Sequence, residues 1–169
     1  MKRALQVIDA ISDRTGNIVQ WLSVGLVLII SYETIMRYIF SISTLWEYET
    51  VSMMGATLYG LSFAYVMRHK LNVRVDVIFS LLPRRIQAAI DSIGMLIAFF
   101  PVMVLVAISA VQTARQAFVV DERMSITGWY PPAAPLRTVL AVGFVLLLLQ
   151  GLVVFIREFH YLIRNKAYD

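Results

Sequence analysis

Four ionisable side chains crowd one short stretch of the chain, Glu33–Glu49, which reads ETIMRYIFSISTLWEYE. They are Glu33, Arg37, Glu47 and Glu49, and the stretch lies between two apolar runs, each long enough to enter a bilayer. A charge at mid-bilayer costs roughly 2.5–3.5 kcal/mol on the insertion scale, and less near the surface. Four charges at one turn-around therefore suggest a paired polar cluster. Glu33 and Arg37 are spaced i, i+4 with the acid first, the better order for a helical pair. If the chain reverses near Ser41–Thr44, Glu47 and Glu49 return to the same depth. Arg37 is then expected between carboxylates from two helices. The residues alone leave three uses open: a structural clamp, charges that snorkel at a membrane surface, or a substrate or ion site.

Other chemistry is sparse. The two histidines, His69 and His160, fall at helix ends, whereas a membrane haem needs histidines facing each other at mid-span. There is no cysteine, hence no disulfide, thiolate metal site or cysteine nucleophile. No His-x-x-x-His, Gly-rich phosphate loop or serine–histidine–acid set stands out. An enzyme is not expected, nor a cofactor or bound metal. A self-contained transporter needs polar groups or broken helices near the bilayer midplane, and the apolar runs are almost wholly uncharged in their middles. Two readings remain. One is an accessory or scaffold membrane subunit. The alternative is a homo-oligomeric small channel or exporter with Glu33 and Arg37 at its mouth.

The elements that must position these residues are membrane helices. Of 169 residues, 59% are hydrophobic, and the mean hydropathy is +0.73. A soluble domain is about 45–50% apolar. The excess falls in four blocks, so the expected fold is an all-α integral membrane protein, one membrane domain over residues 1–169. Its spans are expected at about 18–38, 48–67, 88–115 and 136–156 and to form one compact bundle. Eleven of the fifteen Lys and Arg residues lie at the chain ends and between spans two and three. Loops one and three hold the other four. This is the positive-inside pattern for an even number of spans, and it puts both termini and the second loop in the cytoplasm. The pI near 9.6 is thus a topology signal rather than a nucleic-acid signal.

Along the chain, residues 1–17 read as an amphipathic lead-in with Leu5, Ile8, Ile11 and Ile18 at helical spacing. It is expected to lie on the inner membrane surface or to extend the first helix. Span two carries Ser52, Ala56, Gly60 and Ala64 at every fourth position, one small-residue ridge on one face. Such ridges let helix backbones approach closely. The ridge fits either this chain's own helices or a partner helix. Segment Arg68–Arg85 is too short to span and is expected to be interfacial, with Arg74 and Asp76 among its polar residues. Trp46, Trp129 and Tyr130 are further interface candidates. Pro101 is expected to kink span three, and Gln150 in span four to make a helix–helix hydrogen bond.

Several short motifs occur in order. They are RYIF…S…W-x-x-E (Arg37, Tyr38, Phe40, Ser43, Trp46, Glu49), Gly60 midway along span two, V-R-V-D (Val73–Asp76) and Pro83–Arg84. Trp129–Leu136 (WYPPAAPL) and Gly143 to Gln150 follow. Together they resemble the small permease subunit of tripartite ATP-independent periplasmic (TRAP) transporters, over most of the chain. The resemblance implies a multi-pass subunit of a bacterial or archaeal inner-membrane complex. In that complex a periplasmic substrate-binding protein captures an organic acid and docks on the membrane pair. The large permease subunit carries the substrate and sodium sites. The small subunit braces it, without a substrate site of its own.

Overall fold

The computed structural model describes residues 2–69, 71 and 82–164. Among the described residues, six α-helices run in chain order: α1 (Lys2–Val19), α2 (Trp21–Ile39), α3 (Glu47–Arg68), α4 (Arg84–Gly94), α5 (Phe100–Val119) and α6 (Ala134–Arg164). A π-helical turn, Met95–Phe99, joins α4 to α5. Among the described residues, four stretches are long and apolar enough to cross a membrane: Arg3–Ile39, Glu47–Arg68, Arg84–Val119 and Ala134–Ile163. At a rise of about 1.5 Å per residue, each reaches the ~30 Å of a bilayer's hydrocarbon core. Residues 72–81, which carry most of the expected interfacial segment with Arg74 and Asp76, lie outside the described residues.

α1 runs straight on into α2. Only Gln20 separates them, with φ −54° and ψ −30°, still helical, and its N–H bonds Gly16 O at 3.0 Å. Of the two sequence expectations for the lead-in, the structure has the extension. The irregularity expected at Pro101 lies one turn earlier. Proline has no N–H to give the preceding turn, and the five-residue π-helical stretch ends just before it.

The packing is inverted relative to a soluble protein. The buried hydrophobic positions are mostly alanine, among them Ala64, Ala88, Ala107, Ala117 and Ala141. Large aliphatics such as Leu28, Ile97 and Leu105 face outward, at 65%, 70% and 69% exposure. Lipid tails solvate leucine as well as protein does. Membrane helices therefore gain from close approach through small residues.

The four spans do not close into the compact bundle expected from the sequence. α2 packs on α3, α3 on α6, and α6 on α5, so the spans form an open row in the order α2, α3, α6, α5. Among the described residues α2 and α5, the two margins, do not pack on each other. α6 is the hub, touching α1, α3, α4 and α5. Closure would need α2 to carry a second small-residue face. Its one fully buried residue is Glu33, and exposed bulky side chains such as Val24, Val27, Leu28 and Ile35 interrupt its small residues.

Candidate functional site

Polar side chains gather at the two ends of this row. At one end, which carries the α2–α3 and α5–α6 connections, α2 stops at Phe40. Ser41 follows at φ 53°, the left-handed conformation that turns a chain off a helix end. The turn brings Thr44 back onto Glu33. The Thr44 N–H donates to Glu33 Oε1 at 3.2 Å and its hydroxyl to Oε2 at 2.5 Å. Arg37 Nη2 lies 3.3 Å from Glu33 Oε1 and 4.0 Å from Glu47 Oε2. Glu33 is almost closed off, with 5% of its side chain exposed, whereas Arg37 is 55% exposed and caps the group. Ile30, Thr34, Tyr38 and Tyr48 complete a shallow cavity of about 400 Å³ around the three charges. Thr44 carries two of the bonds to Glu33, and the sequence reading passed over it.

Glu49 does not join this group. It is fully buried and faces the α5–α6 connection, where its Oε1 accepts the Thr127 N–H at 2.8 Å. Its Oε2 has no hydrogen-bond partner. The reason is helical geometry: residues two apart point to opposite sides, so Glu47 and Glu49 cannot both face Arg37. The connection that Glu49 holds is a small hairpin, with Met124 N–H to Pro131 O at 2.9 Å and Ala133 N–H to Glu122 O at 2.8 Å. Arg137 Nη2 reaches Glu122 Oε1 at 2.8 Å from the first turn of α6. Trp129 and Tyr130 are exposed on this hairpin, and Tyr130 has φ 52°. Trp46, half-buried, stacks on Tyr32 with centroids 6.4 Å apart.

The ridge on α3 divides along its length. Gly60 and Ala64 are buried, while Ala56 and Ser52 are only partly covered. Gly60 meets α6, where a β-carbon on Gly143 would lie 2.7 Å from the Gly60 carbonyl carbon. The lower ridge therefore packs inside this chain. Ser52 spends its hydroxyl on Tyr48 O at 2.7 Å.

A second polar group, at the end carrying the chain termini, was not foreseen. Leu5, Asp9, Ser12, Gly16 and Val19 form one buried stripe on α1, spaced four, three, four and three. Asp9 Oδ1 accepts Gln150 Nε2 at 2.9 Å, and Oδ2 accepts Arg157 Nη2 at 2.5 Å. Ser12 donates to Gln150 Oε1 at 2.8 Å. Arg68 closes the group by pairing with Asp13 and bonding the Asp9 carbonyl. His69 Nε2 sits 3.0 Å from Asp13 Oδ1. Beside it, Arg84 Nη2 donates to both oxygens of the buried Glu158, at 3.0 Å each, tying α4 to α6. Gln150 thus bonds α1, a partner the sequence did not indicate. The signal was present in the heptad-like spacing, but the isoleucines drew the reading. Ile11 and Ile18 are exposed.

The arrangement is one of fastening. Each described carboxylate cluster ties a helix or a connection to its neighbour, and no group of three or more metal-type ligands converges among the described residues. A family model described as tripartite ATP-independent periplasmic transporters, DctQ component, matches residues 26–160. The chain belongs to that family. No curated protein matches it. As a DctQ component it is the small membrane component of a TRAP transporter, a transport family rather than an enzyme family. The matched region starts within α2 and ends within α6, so it takes in all four spans and leaves out α1.

Proposed function

We propose that this chain braces the large permease subunit of a sodium-coupled, binding-protein-dependent importer of organic acids in a bacterial inner membrane, and carries no substrate site itself. The carrying observation is the open row of apolar helices with its polar groups used as fasteners at the two ends. Family membership supports the large subunit and a periplasmic binding protein as partners. The bias of Lys and Arg toward the termini and second loop supports a cytoplasmic position for both ends. The polar group of Glu33, Arg37 and Glu47 serves as a clamp between α2 and α3. Trp46, Trp129 and Tyr130, at the same end as this clamp, hold that end at the membrane surface.

The test is co-purification and reconstitution. The chain should purify with a much larger membrane protein and should move no organic acid when reconstituted alone in liposomes. Transport by this chain alone would overturn the proposal. Crosslinking that gives only homo-oligomers, with ion flux lost in Glu33→Gln, would favour the small-channel reading instead.

A further inference from the structure

A groove of about 440 Å³ runs between α5 and α6 on the outer surface of the row. Its deeper end is lined by Leu105 and Val106 from α5 with Leu140 and Phe144 from α6. Toward the hairpin end the lining becomes polar: Ser109, then Thr113, then Arg137. The two helices are antiparallel, so the gradient from apolar to basic runs the same way on both walls. We propose that this groove holds one anionic phospholipid, its acyl chain between Leu105 and Phe144 and its phosphate on Arg137.

Three observations favour a lipid over a protein helix. First, the deeper end is bulky. A helix docks closely along a continuous face of glycine, alanine or serine, whereas Leu105, Leu140 and Phe144 interrupt the small residues Ser109 and Ala110 and leave an irregular slot that suits a flexible chain. Second, the polar end lies beside the connection, at the depth where a headgroup sits when α5 and α6 cross the bilayer. Third, the charge is complementary. Arg137 is 42% exposed and gives one nitrogen to Glu122 at 2.8 Å. A guanidinium has five N–H donors, and its fork matches two phosphate oxygens.

The test uses the full chain purified from membranes in mild detergent. It is titrated with phosphatidylglycerol and with phosphatidylcholine of matched acyl chains, and bound lipid is read by native mass spectrometry. Phosphatidylglycerol should bind roughly tenfold more tightly, the worth of one charge-assisted hydrogen bond. Arg137→Gln should erase that preference. Glu122→Gln breaks the same ion pair but keeps the cation, so it should preserve or strengthen the preference. Ala110 lines the α5 wall, so Ala110→Trp fills the groove and should weaken both lipids. Equal binding of the two lipids, a preference that survives Arg137→Gln, or equal losses in Arg137→Gln and Glu122→Gln would overturn the proposal. So would displacement of the lipid by inorganic phosphate at similar concentration. Ala110→Trp that leaves lipid binding unchanged while a companion protein is lost would also overturn it and assign the groove to that protein.

Discussion

Gly143 on α6 lies directly against the Gly60 carbonyl on α3, with no room for a side chain between them. The two backbones approach closely here because neither residue carries a side chain, and the α3–α6 contact depends on it. Gly143→Ala should separate α3 from α6 and lower stability by about 1–3 kcal/mol, the usual cost of overpacking. Gly60→Ala should cost less, because its β-carbon would meet the end of the Leu140 side chain at 2.8 Å, which can rotate away. Thermal unfolding in detergent checks the order, and equal losses would show that the α3–α6 contact is not the limiting one.

A second close fit joins α6 to the π-helical turn. A β-carbon on Gly151 would lie 2.7 Å from Phe99 Cζ. Gly151→Ala should destabilise, and Phe99→Leu in the same chain should recover part of the loss. A coupling energy in a double-mutant cycle measures this. Gly94, with nothing near its would-be β-carbon, is the control. Gly94→Ala should be neutral or slightly stabilising, since alanine is the better helix former.

Asp9 is the centre of the second polar group. Asp9→Ala leaves Arg157, Arg68 and Gln150 facing an empty position and should cost about 3–5 kcal/mol, as for a broken buried pair. Arg14→Ala, on the exposed side of α1, should cost within about 0.5 kcal/mol of nothing. If α1 is fastened as described, limited proteolysis will cut near residues 14–20 in the first variant and not in the second.

Glu49→Ala should free the hairpin between α5 and α6 by removing the acceptor for Thr127. Hydrogen exchange over residues 121–133 should speed up, while exchange at Thr44 stays protected by Glu33. Glu33→Ala should reverse the pattern. Loss of protection at both sites in either variant would mean that the two acids form one unit after all.

The four spans were readable because a bilayer demands about twenty apolar residues per crossing, and no other fold leaves that record. The order of the spans in the row was not readable. Apolar helices are close to interchangeable in lipid, and scattered glycines, among them Gly60, Gly143 and Gly151, mark which faces meet. The α1 stripe was missed for a related reason. Leu5, Ile8, Ile11 and Ile18 mark the lead-in as amphipathic, but they do not say which of its faces meets the other helices. Ile11 and Ile18 are exposed, while Asp9 and Ser12 turn inward to the side chains of Gln150 and Arg157. At the other end the pairing of Glu33 with Arg37 was legible from its i, i+4 spacing. The divergence of Glu47 and Glu49 also follows from the two-residue interval, once each is placed on a helix.

The hub position of α6 has a consequence for how the molecule is made. A ribosome releases α2, α3 and α5 first, and none of the later contacts of α5 in the row exist until α6 emerges. The two halves of the row are therefore expected to stay unjoined in the bilayer until α6 is inserted between them. Among the described helices, truncation before α6 leaves α5 without a packed neighbour beyond the turn that leads into it.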